Sequence, residues 1–313
     1  MTAVRIEGLR KSYGAVKALD GLDLTVEPGK IFGFLGPNGA GKTTTIRILT
    51  GLARPTGGRV TVGGMDIPAE ARQVAHRIGY LPEEPAFYPW MTPREFLDHI
   101  GRVFGLAAGE RAARVKELLD LVGLAEVGKR RIGGFSRGMR QRLGLAQALV
   151  NRPEILFLDE AVSALDPAGR KEVLELLERL RGECTVFMST HILADVERVC
   201  DTIGIIARGR LVTQDSREAL LARYVIPAFE VEAERGQAAL LSSWGEALGQ
   251  QAWVHSVSIS DLMGRILVHD VETAKRELLP AAVQTGLVLT RYEIVRPSLE
   301  EIFLRLVAEG EPA

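Results

Sequence analysis

Along its first two thirds the chain alternates between short apolar runs and amphipathic stretches. Ile31-Phe32-Gly33-Phe34-Leu35, Ile155-Leu156-Phe157-Leu158 and Thr185-Val186-Phe187-Met188 are largely apolar runs of strand length, the pattern expected of strands covered on both faces. Residues 42–50 predict a helix directly behind a glycine-rich loop. Val173, Leu176, Leu177 and Leu180 recur at i, i+3, i+4 and i+7 behind Pro167, a residue suited to a helix start. Strands separated by helices predict an α/β fold with a mostly parallel sheet. Leu22-Asp23-Leu24-Thr25-Val26 alternates instead, like a half-buried antiparallel strand. Residues 94–150 contain three helical patterns, at 94–104, 111–122 and 138–150, with no strand between them, so they predict a helical insert hung on the sheet.

The pattern changes around residues 224–227. The segment that follows predicts a small α+β unit, with strands at 229–233, near Val254, near Leu267 and at 288–294. Helices are predicted at 237–247, 271–285 and 299–307, the last with Leu299, Ile302, Phe303 and Leu306 on one apolar face. Charge changes at the same place: residues 1–224 hold 32 basic and 27 acidic side chains, residues 225–313 hold 7 and 13. The expected division is therefore 1–224 for a larger domain and 225–313 for an accessory domain. A length of 313 residues agrees with two domains, at roughly 150 residues each.

The net charge of −1 argues against wholesale binding to nucleic acid or anionic lipid. Two cysteines, Cys184 and Cys200, make no disulfide framework and suit a reducing compartment. No apolar run approaches the roughly 18–20 residues that span a bilayer. The first ten residues carry no signal-peptide core. The expected setting is the cytosol, with any membrane role exercised through a partner.

The strongest chemical signal is Gly36-Pro37-Asn38-Gly39-Ala40-Gly41-Lys42-Thr43-Thr44. It fills every fixed position of the G-x-x-x-x-G-K-[ST] phosphate loop between an apolar strand and a helix. Glycines let the backbone wrap a phosphate chain, the N–H groups point inward, and the helix N-terminus adds partial positive charge. Lys42 is expected to reach the β- and γ-phosphates, and the Thr43 hydroxyl to ligate Mg²⁺. A carboxylate partner is needed, and the run Ile155-Leu156-Phe157-Leu158 ends in Asp159-Glu160. Asp159 at the strand's C-terminal end is the expected Mg²⁺ holder, where open α/β sheets bind ligands. Glu160 is the expected residue to orient or deprotonate an attacking water.

Four further segments give the chain its resemblance to the ATP-binding subunits of ABC transporters, over about residues 3–222. Phe135-Ser136-Arg137-Gly138-Met139 resembles the family signature opening a helix, and Ser163-Ala164-Leu165-Asp166 its D-loop. Ser189-Thr190-His191 resembles the switch histidine, and Tyr13 in Lys11-Ser12-Tyr13-Gly14 the aromatic that stacks on adenine. The resemblance implies an ABC-type P-loop NTPase core with an antiparallel subdomain and the helical insert. It further implies ATP and Mg²⁺, His191 as γ-phosphate sensor, and a two-fold dimer. In such a dimer Ser136, Arg137, Gly138 and Met139 close on the ATP held by a second copy, and Asp166 lies at the junction. A separate polytopic permease at the cytoplasmic face of the membrane is the implied partner.

The chain departs from the family pattern in two places, the Q-loop and the signature. Glu83 stands where the Q-loop carries glutamine; it can ligate Mg²⁺ or accept from water but cannot donate as an amide does. Arg137 and Met139 replace the usual glycine and glutamine of the signature. Both departures, and Pro297-Ser298-Leu299-Glu300-Glu301-Ile302-Phe303 in the tail, resemble the drug and antibiotic exporter branch. An importer subunit, or a soluble ATPase acting on nucleic acid or ribosomes, is the alternative. Against the latter, only 94 residues separate Lys42 from Ser136, with no room for a long coiled coil, and one P-loop is present. Residues 85–91, rich in aromatic side chains, follow the Q-loop where such transporters dock their membrane helices.

Overall fold

The computed structural model describes residues 2–163, 165–224, 227–295 and Phe303. The helix expected at 299–307 and Ala164 of the D-loop-like segment lie outside the described residues, Phe303 excepted. The chain divides into two compact units, the first comprising Met1–Arg217 and the second Glu218–Leu306.

The first unit carries two sheets. Strands β1 (Val4–Tyr13), β2 (Val16–Val26), β4 (Gly57–Val62) and β5 (Met65–Ile67) form an antiparallel sheet in the order β2-β1-β4-β5. The alternating run at 22–26 is the end of β2. The other sheet contains β3 (Ile31–Leu35), β6 (Ile78–Leu81), β7 (Ile155–Asp159), β8 (Thr185–Thr190), β9 (Thr202–Ala207) and β10 (Arg210–Ser216), in the order β10-β9-β3-β8-β7-β6. From β9 to β6 every pairing is parallel, and only β10 runs antiparallel. All five residues of β3 and of β7, and all six of β8, are buried, as continuous apolar runs in a covered parallel sheet must be. Phe187 on β8 sits at the centre of an aromatic cluster, its ring 5.1, 5.3 and 5.7 Å from those of Phe32, Phe34 and Phe157. Leu9, Leu22 and Leu24 of the antiparallel sheet and Ile46, Ile48 and Leu49 of α1 (Lys42–Leu49) join the same core.

α2 (Ala71–Arg77) leads into β6, and the predicted insert is helical: α3 (Pro93–Val103), α4 (Ala108–Leu121) and α5 (Arg137–Ala148). Thr92 and Glu95 close a reciprocal capping box at the start of α3, with Pro93 at its first turn, which fixes where that helix begins. Ser136 accepts from the Met139 N–H at the start of α5, 3.2 Å away. Asp166 accepts from the Gly169 N–H, 3.0 Å away, at the start of α6 (Pro167–Arg179). α7 (Leu193–Val199) follows β8.

The second unit begins inside α8 (Arg217–Tyr224), not after it. Packing thus divides the chain seven residues before the expected break, which had followed the composition rather than the helix; the Arg217 N–H and guanidinium bond to the Asp201 and Glu197 carbonyls of the first unit. Its order is β11 (Ala228–Ala233), α9 (Ala238–Gly249), β12 (Val254–Ser260), β13 (Met263–Val268), α10 (Val271–Gln284), β14 (Leu289–Val295). The sheet order β12-β13-β11-β14, all antiparallel, makes it a split βαβ arrangement of ferredoxin-like topology. Trp244, Phe229, Leu241, Ile266 and Leu278 form its core.

Phe187→Ala should destabilise the first unit by about 3–5 kcal/mol, since it empties the centre of the aromatic cluster. Urea unfolding of the purified chain, followed by circular dichroism, measures the loss.

Candidate functional site

The carboxyl ends of β3, β7 and β8 meet in one place because these strands are parallel and adjacent. Register sets the rest: Asp159 lies opposite Ser189, and Leu35 opposite Thr190. The loop after β3, the two carboxylates after β7 and His191 after β8 therefore face the same cleft. Its volume is about 260 Å³, and it is lined by Ala18, Asn38, Gly39, Gly41, Lys42, Thr43, Thr44, Glu83, Glu160 and His191.

Two glycines of the loop are required by their surroundings. Gly41 has φ +108° and immediately precedes α1; a Cβ there would lie 2.7 Å from the Ala18 carbonyl oxygen and 2.7 Å from Leu19. A Cβ on Gly36 would lie 2.4 Å from the Ile206 carbonyl oxygen. The loop is thus wedged between β2 and β9, with the start of α1 opening into the cleft.

Lys42 is 6% exposed, and its Nζ donates to the carbonyls of Gly36 at 2.7 Å and Pro37 at 3.2 Å, 3.6 Å from Glu160 Oε1. A buried ammonium needs such partners. The Thr43 hydroxyl donates to Asp159 Oδ1 at 3.2 Å, and the Ser189 hydroxyl donates to the same oxygen at 2.6 Å. Ser189 also accepts from the Glu160 N–H, through its hydroxyl at 3.3 Å and its carbonyl at 3.1 Å. Glu160 itself has φ +51° and is 7% exposed. A carboxylate held in left-handed backbone at the end of a strand is strain of the kind that gathers at working sites. His191 Nδ1 stands 2.8 Å from Glu160 Oε2. An ionised carboxylate accepts only, so in this contact Nδ1 carries a proton and donates it to Glu160. Behind the site, burial and then the Asp159 charge push the Tyr80 phenol up to about 12, which keeps it neutral.

Asp159 and Thr43 offer adjacent hard oxygens, one anionic, suited to Mg²⁺, which takes few protein ligands and keeps its waters. The donor set fits that ion.

The cleft brings together most of the residues singled out in the sequence: Asn38, Gly39, Gly41, Lys42, Thr43, Thr44, Glu83, Glu160 and His191 line it, with Asp159 buried beneath. Tyr13 is not in the lining; it lies at the end of β1, 49% exposed, with Lys11 Nζ 4.6 Å from its ring centroid. Ser136, Arg137, Gly138, Met139 and Asp166 are not in the lining either. Ser189 was missed as a site residue. Its signal was its place in Ser189-Thr190-His191, but only the β7–β8 register shows that it bridges both carboxylate positions.

Residues 19–163 match the ABC transporter family, and residues 218–307 match the C-terminal domain of DrrA1-3-like ATP-binding proteins. An uncharacterized ABC transporter ATP-binding protein, YxlF of Bacillus subtilis (strain 168), is 39% identical over 96% of this chain and 98% of its own length. The daunorubicin resistance ATP-binding protein DrrA3 of Streptomyces coeruleorubidus is 37% identical over 98% of this chain and 96% of its own. A solved ATP-binding subunit of an ABC transporter superposes with a TM-score of 0.66 and 28% identity, over 71% of this chain and 93% of that one. The chain belongs to the ABC transporter ATP-binding proteins. It is an ATPase that works with ATP and Mg²⁺, and among its described residues no helix is long and apolar enough to cross a membrane.

Gly41→Ala would push a methyl group against the Ala18 carbonyl in a backbone conformation that costs an L-residue roughly 1–2 kcal/mol. Fluorescent-nucleotide titration should show affinity reduced by about tenfold or more, with the far-UV circular dichroism of the folded chain retained.

Proposed function

We propose that this chain energises an exporter, hydrolysing ATP to drive a separate membrane-spanning permease on whose cytoplasmic face it docks. The observation that carries the catalytic part is the chain of contacts from Lys42 through Glu160 to His191 at the rim of one cleft. Lys42 exchanges the Gly36 and Pro37 carbonyls for β- and γ-phosphate oxygens, and the loop N–H groups cradle the same phosphates. Thr43 and Asp159 hold Mg²⁺, with Glu83 as a further oxygen from across the cleft. When bound, that ion neutralises charge building on the phosphate oxygens. Ser189 anchors Asp159 through its hydroxyl, and accepts from the Glu160 N–H through both its hydroxyl and its carbonyl.

Glu160 is the general base or orienter for the attacking water, and the Nδ1–H of His191 keeps its carboxylate turned toward the cleft. With Nδ1–H given to Glu160, Nε2 senses the γ-phosphate by donating to one of its oxygens, which requires the doubly protonated imidazolium. Tyr13 stacks on adenine at the open end. Ser136, Arg137, Gly138 and Met139 sit at a helix N-terminus, where N–H groups and the helix dipole favour an anion. In this reading they close on the ATP of a second copy, Asp166 lies at the junction, and the two copies form a two-fold pair.

Export, rather than import, is supported by the resistance function in the name of DrrA3 and by the DrrA-like match of the tail. The permease contact is assigned to the aromatic segment after the Q-loop, where Tyr88 and Trp90 are 46% and 65% exposed with ring centroids 5.2 Å apart.

Glu160→Gln should lower hydrolysis by about 10²–10⁴-fold while leaving ATP binding intact. On size-exclusion chromatography with ATP and Mg²⁺ it should run as a dimer. Full turnover in this variant would remove Glu160 from the mechanism, and a monomer with bound ATP would count against the paired site. Lys42→Ala should abolish nucleotide binding; unchanged affinity in fluorescent-nucleotide titration would refute the assigned contact.

A further inference from the structure

Asp195 is a buried carboxylate outside the nucleotide cleft. It lies in α7, four residues after His191, and is 1% exposed. Its Oδ1 accepts from Arg170 Nε at 2.5 Å, whereas its Oδ2, also buried, has no hydrogen-bond partner. Burial pushes the carboxyl above the usual carboxylate range, against the hydrogen bond and charge of Arg170 and the charges of Arg198 and His191. An ion pair that leaves one oxygen buried and bare is a poor way to stabilise a fold, and two apolar side chains of similar size would serve as well or better. What the pair supplies is direction.

Its place in the fold shows what is directed. Arg170 lies in α6, one turn after Asp166, and α6 is fixed in the core by Val173, Leu174, Leu176 and Leu177. α7 has only seven residues and no side-chain cap at its start. His191 immediately precedes its N-cap residue, Ile192, with a side chain 51% exposed, so its aim depends on how α7 is set. A second link between the two helices, Arg198 to Glu175 at 3.3 Å, is exposed on both sides and contributes little.

We infer that Asp195 and Arg170 are positioning residues for hydrolysis: their bond fixes where α7 begins against α6, and through that the direction in which His191 meets Glu160 and the γ-phosphate. The inference rests on the assignment of His191 to the γ-phosphate. Its physical basis is that a hydrogen bond is directional and an apolar contact is not. Apolar contacts between two helices tolerate a small slide, while a buried N–H···O bond weakens steeply with misalignment. A displacement of about 1 Å at a reacting group costs up to about a hundredfold in rate.

The variant Arg170→Met with Asp195→Leu replaces both partners together and leaves no unpaired charge, so the fold should be kept. It should bind fluorescent ATP with unchanged affinity and hydrolyse ATP with kcat lowered about tenfold or more at unchanged KM. In a His191→Ala background the same two substitutions should lower kcat no further, because they act through that side chain. Asp195→Asn, which keeps an oxygen for Arg170 Nε, should retain most of the turnover that the double variant loses. Unchanged kcat in the folded double variant, a loss that multiplies with that of His191→Ala, or a parallel loss of nucleotide affinity would overturn the inference. Should the double variant not fold, Arg170→Gln, at a part-exposed position, carries the same kcat, affinity and His191→Ala comparisons. An unaltered chain that hydrolyses no ATP, or a His191→Ala chain that hydrolyses it at the full rate, would instead refute the function on which the inference rests.

Discussion

The structure depends on holding opposite charges at the buried end of a parallel sheet. Lys42 and Glu160 are 6% and 7% exposed and 3.6 Å apart, and neither is tolerable there without partners. The partners come from three strands that share one direction. β3 delivers the loop carbonyls that hold Lys42, β7 delivers Asp159 and Glu160, and β8 delivers Ser189 and His191. The aromatic cluster around Phe187 fixes the spacing of those strands, so the core and the site are one piece of engineering. A shift in register between β7 and β8 would part Ser189 from Asp159 and leave buried polar groups unpaired.

The same arrangement explains why the site is poised. Three side chains of the cleft already have protein partners: Lys42 has carbonyls, Thr43 has Asp159, and Glu160 has His191. On the proposed function, an incoming triphosphate substitutes for these contacts at a preformed cleft, with little reorganisation. Glu83 lines the same cleft from the loop after β6, with a carboxylate where the family pattern has an amide.

Much of this was legible in the sequence. The phosphate loop is local: its glycines, lysine and threonine act through neighbouring backbone, so spacing alone carries the signal. The buried strands announced themselves by continuous apolar runs, and the helical insert by its period. Other elements were not legible. β1 and β4 mix charged and apolar residues on a sheet with one wet face, β5 is three residues long, and β9 and β10 sit behind a cysteine and a turn with no strong period. The break between the units was placed by composition at residue 224, whereas α8 runs through the boundary from residue 217.

What the chain determined by itself was the list of chemical groups and the local conformations that present them: a loop that wraps phosphate, a carboxylate pair ending an apolar strand, a helix opened by Ser136. Only tertiary structure decided which of these meet. Strand order and parallel register put Ser189 on Asp159 and His191 on Glu160, joining residues about 30 apart through contacts that no local pattern encodes. In the second unit the sequence specified strands and helices, yet the split βαβ order emerged only from pairing β11 between β13 and β14. Such choices are made by burying one shared core, a free energy summed over the whole unit and not written at any single position.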